Sequence, residues 1–329
     1  MHSSFDRHGF ARWLLATLAL ASTATAWAQA NFPVRPIRMV VPSSPATGMD
    51  NMGRVVARAM SEAVKQQVIV DNRAGAGSLI GSGIVATAAP DGYTIGVAST
   101  STIVAPLLQS KPPYDPLKDF TPIALLSSIP SVLVVAPDVP VKTVQEFIEY
   151  ARARPGQLNF ASIGSGSAAH LTPELFNRAA GIKAVHVPFK SAADVITEMR
   201  ASRVHYLMFI APASLPMLGD GRLRALAVTS PKRAPALPDV PAVSEIGLRN
   251  AEVDTMIGMV GPRGMPESLV TRLHAEILAV LRAPDTRTQF ARYGGEPAVD
   301  TTPASFGAKW AAEYKIYRNL LPEIGLKPQ

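Results

Sequence analysis

The sequence predicts an α/β protein of two interleaved lobes around a largely parallel sheet. Three observations carry this. Short apolar runs that read as buried strands alternate with segments of helical periodicity. The chain has 329 residues, enough for about two domains at roughly 150 residues each. No low-complexity linker and no internal repeat divides it, so interleaved connectivity fits better than two consecutive domains.

The elements follow in order. Residues 37–41 (IRMVV) form a short apolar run that stops at Pro42. The loop Pro42-Ser43-Ser44-Pro45-Ala46-Thr47-Gly48-Met49-Asp50 leads into a helix over 51–65, with Thr47 or Asp50 as its cap and apolar residues at helical spacing. A strand at 68–70 precedes the glycine turn Gly75-Ala76-Gly77-Ser78 and a small-residue helix ending near Ala89. After the turn Pro90-Asp91-Gly92, a third strand covers 93–98 and runs into the hydroxyl cluster Ser99-Thr100-Ser101-Thr102. Two strands, 123–126 and 132–135, lie either side of Pro130; a helix follows over 143–154. A strand at 160–163 enters Gly164-Ser165-Gly166-Ser167 and a helix over 168–180. Further strands are expected at 185–187, 204–209, 223–229 and 256–262, with helices at 192–201, 266–282 and 303–321.

The amino terminus reads as an address. Arg7 and Arg12 precede the apolar run WLLATLALA and an Ala26-Trp27-Ala28 ending, the pattern of a secretory signal peptide over residues 1–28. The run is too short to span a bilayer, which takes about 20 residues. Cleavage there removes Arg7, Arg12 and Asp6 and leaves a net charge of +6 in place of +7. An exported, soluble mature protein is expected.

Composition removes several classes of function. Hydrophobic residues make up 47% and charged residues 17%, which excludes a disordered chain. There is no cysteine, so no disulfide scaffold, thiolate metal site or cysteine nucleophile exists. No H-E-x-x-H or H-x-x-x-H pair suggests zinc, and no G-x-S-x-G elbow suggests a serine hydrolase. Gly75–Gly81 is off by one from a dinucleotide fingerprint, and an exported protein is a poor place for a nicotinamide cofactor. Basic residues are scattered with no run of four, which speaks against nucleic acid. The positive balance instead favours an acidic ligand by long-range steering.

The loops that follow the strands share one character. SSPATG, GAGS, STST and GSGS are small, hydroxyl-rich and glycine-rich, and at least three precede a helix. Amides at a helix start, with the helix dipole behind them, bind anions without needing a cation. Taken singly, such residues are ordinary turn and cap chemistry. Together they point to a cleft for a carboxylate or phosphate, at the carboxyl ends of the strands where α/β proteins bind ligands.

Several segments also carry a resemblance: VDNRAGAGSLIG (70–81), APDGYTIGVAS (89–99), YDPLKDFTPIALL (114–126), SIGSGSAAHL (162–171), VHVPFKSAA (185–193) and GRLRALAVTSPKRAPALPDVPAVSEIGL (221–248). They resemble the substrate-binding proteins of tripartite tricarboxylate transporters, the Bug family of periplasmic receptors. The resemblance covers essentially all of the mature chain. It implies a type II periplasmic binding protein fold, with residues 29–131 plus 229–329 as lobe I and 132–228 as lobe II. It also implies a small carboxylate ligand, delivery to a two-subunit membrane permease, a monomer, and no cofactor, metal or catalysis.

The sequence departs from the family pattern in three places. The family's glycine pair in the first loop is replaced by Ala46-Thr47, while Asp50 is kept as loop brace and helix cap. The family's V-P-Y-K-G-S becomes Val187-Pro188-Phe189-Lys190-Ser191-Ala192. Its M-F-D-N-L-P becomes Leu207-Met208-Phe209-Ile210-Ala211-Pro212, which exchanges an acid and an amide for a ring and a branched alkyl group. An aromatic dicarboxylate such as terephthalate is therefore expected over citrate or aspartate.

The expected site joins both lobes. One carboxylate meets Ser43, Ser44, Thr47, Gly48, Met49, Ser99 and Thr100, with Asp50 bracing the first loop. The other meets Ser165, Gly166, Ser167 and His170, with Lys190 and Ser191 nearby; Phe189, Phe209 and Ile210 flank the middle. Bridging the lobes favours the closed form, which alone makes both sets of contacts. The carboxylates bind ionised, so binding weakens at acidic pH. Two other readings share these loops: a ligand-sensing subunit for a membrane histidine kinase, and an exported serine hydrolase.

Overall fold

The computed structural model describes residues 32–189, 191–219, 223–248, 251–293 and 295–328. The expected signal peptide and Lys190 lie outside the described residues.

The first part of the chain runs β1 (Ile37–Val41), α1 (Gly48–Val64), β2 (Val68–Asn72), a 3₁₀ turn (Ala76–Ser78), α2 (Leu79–Ala86), β3 (Thr94–Ser99) and α3 (Thr100–Leu107). A long strand, β4 (Phe120–Val135), follows. Then come α4 (Val144–Arg152), β5 (Asn159–Ser162), α5 (Ala168–Ala180), β6 (Val185–Pro188), α6 (Ala192–Arg200), β7 (Tyr206–Ile210), α7 (Ala211–Leu218) and β8 (Arg224–Val228). The chain closes with β9 (Asp254–Pro262), α8 (Glu267–Arg282), α9 (Pro284–Arg292), β10 (Glu296–Pro297) and α10 (Pro303–Glu323).

The strands are ordered β2-β1-β3-β9-β4-β7-β5-β6, with β8 and β10 also paired to β4. β4 belongs to two sheets. Residues from Phe120 to Pro130 pair with β9, and Ser131–Val135 pair with β7 and β8. The sequence pattern suggests two strands around Pro130; the structure has one. Proline is tolerated because it sits where the ladder changes partner, so its missing N–H breaks no ladder. Pro122 falls at a register shift within the β4–β9 ladder, where a missing N–H is also tolerated.

Strand direction decides where the loops go. β3 and β4 are both antiparallel to β9, so they run the same way, and β1 and β2 run with β3. β7 is antiparallel to β4, and β5 and β6 run with β7. β4 leads out of the first lobe into the second. The carboxyl ends of β1–β3 therefore face the second lobe, and those of β5–β7 face the first. Residues of the GAGS, STST and GSGS loops meet across one gap.

Each lobe has its own core. One cluster, centred on Phe147, Phe160, Phe176 and Tyr206, fills the second lobe. Two clusters cover the two faces of the first sheet, one under α1, α8 and α9, the other under α2, α3 and α10. The boundary expected at 228/229 moves. Ala234, Ala242, Val243 and Ala251 belong to the second lobe's cluster, with Leu237 and Val240 packed on it. The return crossing thus comes just before Asp254, the partner of Pro130 in the β4–β9 ladder. Thr229 ties this hinge: its N–H donates to Ser131 O, its hydroxyl accepts from Ser131 N at 2.9 Å, and it donates to Asp254 Oδ1 at 3.4 Å.

Three helices go beyond the expected set. α3 begins inside the hydroxyl cluster, with Ser99 and Thr102 forming a reciprocal capping box. α7 and α9 lie in proline-punctuated stretches whose apolar periodicity is too short to mark a helix.

Candidate functional site

The first loop is a self-contained brace. Asp50 is buried, and its carboxylate accepts from Ala46 N at 2.8 Å, Asn72 Nδ2 at 2.8 Å and Arg54 Nε at 3.0 Å. Burial by itself pushes its pKa up; Arg54, Asn72 and the Ala46 amide outweigh that and hold it below the usual value. Asn72 also donates to Ser43 O, Ser43 and Thr47 share a hydroxyl hydrogen bond of 2.8 Å, and Thr47 caps α1 by accepting from Asp50 N. Ala46 takes φ = 65°, where glycine has no steric penalty. This gives the loss of the family's glycine pair a physical cost. Ala46→Gly is expected to raise stability by about 0.5 kcal/mol in denaturant unfolding, the relief of strain exceeding the added chain entropy.

The inter-lobe cleft has a volume of about 330 Å³. On the first lobe it is lined by Ala76, Gly77, Thr100, Ser101, Val104, Ala105, Leu108 and Gln109; on the second by the loop from Ile163 to Ala168 and by Leu171. Of the expected contacts it gathers Thr100, Ser165, Gly166 and Ser167. Ser43, Ser44, Thr47, Gly48, Met49, Asp50 and Ser99 are outside this cavity's wall. Met49 packs half-buried against the first lobe's core, and Ser99 is spent on capping α3. Gly77, Ser101, Leu108 and Ile163 were not singled out from sequence. The GAGS turn was a signal for Gly77; nothing local marks Leu108, which reaches the cleft only because α3 lies along it.

The second-lobe loop is built from below. Ser162 Oγ lies 2.7 Å from His186 Nε2 and accepts from Gly164 N; Ser167 Oγ donates to Gly164 O at 2.7 Å. Gly166 N donates to His170 Nδ1 at 3.0 Å. The His170 and His186 rings stack at 3.7 Å, and His170 is 4% exposed. His170 is therefore a brace beneath the loop, not a wall of the cavity. Burial, then the neighbouring His170, pushes His186 down to about 4, with Glu174 opposing, so His186 is neutral. Ser162 is buried as well, so its pairing with His186 offers no nucleophile to a substrate.

Helix starts differ in whether a local hydroxyl uses their free amides. α1, α3, α4, α6 and α10 are capped by their own hydroxyls: Thr47, Ser99, Thr143, Ser191 and Thr302. α2 and α5, which begin just after the cleft-lining residues Gly77 and Ser167, have no side-chain cap, whereas α3, which begins at the cleft-lining Thr100, is capped by Ser99. The first-turn amides of α2 and α5 are not spent on a capping hydroxyl.

The aromatic wall expected from Phe209 is not presented to this cleft. Phe209 is 4% exposed and packs in the second lobe's core, because its place opposite Val132 turns the ring into that lobe. Phe189 packs half-buried on the same core, and Ile210 reaches the first lobe's cluster. Ser191 serves as the cap of α6. The lobes also touch along α5, where Leu171 and Leu175 join a first-lobe cluster and Arg178 pairs with Glu323 of α10.

The pattern described as Tripartite tricarboxylate transporter family receptor, TctC, matches residues 52–308. The chain belongs to this family. A Pseudomonas sp. (strain P51) protein of the tcbD-tcbE intergenic region is 40% identical over 96% of this TctC receptor and 95% of its own length. Protein BugT of Bordetella pertussis is 32% identical over 94% and 95% of the two chains. Among solved structures, a TctC solute-binding protein from Polaromonas superposes with a TM-score of 0.78 at 28% identity, covering 89% of this receptor and 99% of that chain. An R. palustris protein with adipate gives 0.73 at 31% identity (91% and 100%), and MatC from Rhodopseudomonas palustris with bound malate gives 0.70 at 30% (88% and 100%). The fold is that of the periplasmic binding proteins. The TctC receptor is a solute-binding protein and not an enzyme, which removes the hydrolase reading. Among the described residues no helix is long and apolar enough to cross a membrane.

Proposed function

We propose that this receptor captures a small dicarboxylate with an apolar middle, by lobe closure in the periplasm, and delivers it to a two-subunit membrane permease of the tripartite tricarboxylate type. One observation carries the reading: both walls of the cleft pair polar helix starts with an apolar stretch. Gly77 and Ser101 face Ser165, Gly166 and Ser167, and Val104, Leu108 and Ile163 lie between them. Polar ends hold carboxylates, and the apolar stretch favours methylenes or a ring over hydroxyls. The diacids held by the R. palustris relatives support the ligand class. With Phe209 in the core, the case for terephthalate rests on Leu108 and Ile163, which suit adipate equally. The signal-peptide pattern over residues 1–28 supports export.

A thermal-shift panel of adipate, malate, terephthalate and benzoate tests this. A diacid at 100 times its Kd stabilises by about 2.7 kcal/mol, a shift of several degrees. Adipate or terephthalate is expected to exceed malate, with benzoate weakest. No shift with any diacid overturns the reading.

Gly166 offers a sharper test. It has φ = 78°, and a Cβ there would lie 2.9 Å from Leu108 Cδ1 across the cleft. Gly166→Val should weaken binding of the best diacid at least tenfold by propping the lobes apart, measured by calorimetry.

A further inference from the structure

We propose that Glu313 is a positioning residue for the cleft, and that the receptor takes up a proton there when a carboxylate occupies the wall at Thr100. The proposal rests on the dicarboxylate reading above and adds a second, protonic ligand to it.

Thr100 is the first residue of α3 and lines the cleft. Its Oγ1 donates to Glu313 Oε2 at 3.2 Å and accepts from Met256 N at 3.3 Å. A threonine hydroxyl has one proton and two lone pairs. While Glu313 is ionised, that proton is drawn to the carboxylate behind the wall and is lost to the ligand. Once Glu313 is protonated, its own O–H donates to Thr100 Oγ1. The threonine then accepts from both Met256 N and Glu313, and its hydrogen is released toward an acceptor in the cleft. Electrostatics acts in the same direction: a buried negative charge behind the wall repels an anionic ligand, and a neutral acid does not. The proton comes from solvent, and no other bond is made or broken.

The surroundings of Glu313 make this exchange accessible. Glu313 shares a cavity of about 160 Å³ with Lys309 and Tyr317 of α10 and with Glu252 and Asp254 at the entry to β9. Burial pushes its carboxyl up to about 7; Lys309 and the Thr100 hydroxyl oppose, and Asp254 adds to the rise. Asp254 is raised too, by burial first, although Lys309 and Thr229 counter it. Burial, Glu313 and Asp254 hold Tyr317 neutral. Glu313 is thus the group poised to change charge near neutral pH. The ligand's own carboxylates titrate at much lower pH, so the two effects separate.

The test is calorimetric titration of adipate into the mature protein at pH 6.5 and 8.5, each in two buffers of different ionisation enthalpy. The expected result is net proton uptake at pH 8.5 and an affinity several-fold lower than at pH 6.5. Glu313→Gln, a mimic of the neutral acid, should bind adipate without uptake and with a flat pH profile, while Asp254→Asn should retain the uptake. Adipate binding without uptake in the wild type, or uptake that persists in Glu313→Gln, overturns the proposal and leaves the receptor reading intact. Absence of binding by adipate, malate and terephthalate at both pH values overturns the receptor reading and this proposal with it. The two-buffer measurement on the wild type needs no variant, so a poorly folding Glu313→Gln does not remove the test.

Discussion

Asp50→Ala is expected to lower the unfolding free energy by about 3 kcal/mol at pH 7, an effect that shrinks as the pH falls. The buried carboxylate satisfies three donors at once: the Ala46 amide, Asn72 Nδ2 and Arg54 Nε. Removing a charged acceptor and stranding partly buried donors costs about 1–3 kcal/mol for each interaction lost, less what water recovers at the exposed Arg54. The sign of the pH dependence follows from the depressed pKa of Asp50. Its contribution is fully present above the usual carboxylate value of 3.8 and is lost as the pH drops through the lower folded value. Urea unfolding of wild type and variant at pH 7 and pH 3 measures this. A difference that does not narrow at low pH would show that the loss comes from packing rather than from the charged brace.

Glu313→Gln is expected to act with the opposite sign. Its carboxyl stands near 7 in the folded protein against an ordinary 4.5. Below the ordinary value both states are protonated and the group costs nothing. Between 4.5 and about 7 the unfolded chain ionises first, so stability is lost as the pH rises through this window; above it the penalty is constant at about 3 kcal/mol. Gln carries no charge and can still donate to Thr100. The variant should match wild type near pH 4 and exceed it by about 3 kcal/mol at pH 8. Equal stability of the two at pH 8 would place the folded carboxyl near its ordinary value. A buried acid kept at such a cost is a reason to look for a role in the cleft next to it.

Legibility in the sequence varied from element to element, for physical reasons. β1, β3, β5 and β7 were readable because a strand buried on both faces is mostly apolar, as YLMFI is throughout and IRMVV is but for Arg38, which reaches Asp71 on β2. Of the two caps the sequence offers for α1, Thr47 and Asp50, the structure uses Thr47, and Asp50 sits inside the first turn as the loop's brace. The unity of β4 was not readable, because proline in a strand is tolerated where the ladder shifts register or changes partner, and neither is written locally. Nor was the boundary at 228/229: the segment holding Ala234, Ala242 and Val243 is loop-like in sequence and belongs to the second lobe only through its packing.

The candidate site divides along the same line. Serine and glycine clustered between a strand and a helix mark a loop at the carboxyl end of a sheet, so the cleft-lining Thr100, Ser165, Gly166 and Ser167 could be named from residue type and spacing, but so could Ser43, Ser44 and Thr47, which lie outside the cavity wall. Whether a side chain points into the gap depends on the sheet's register and on what packs beneath the loop. Register sends Phe209 into the second lobe's core, and the ring stack with His186 draws His170 under its loop. Leu108 reaches the cleft only because α3 lies along it, and Glu313, more than 200 positions from Thr100, stands behind that residue only because α10 folds against α3. Local chemistry is carried by neighbours in the chain, and so the sequence reveals it. Facing, burial and charge coupling are carried by neighbours in space, and for those the fold has to be known.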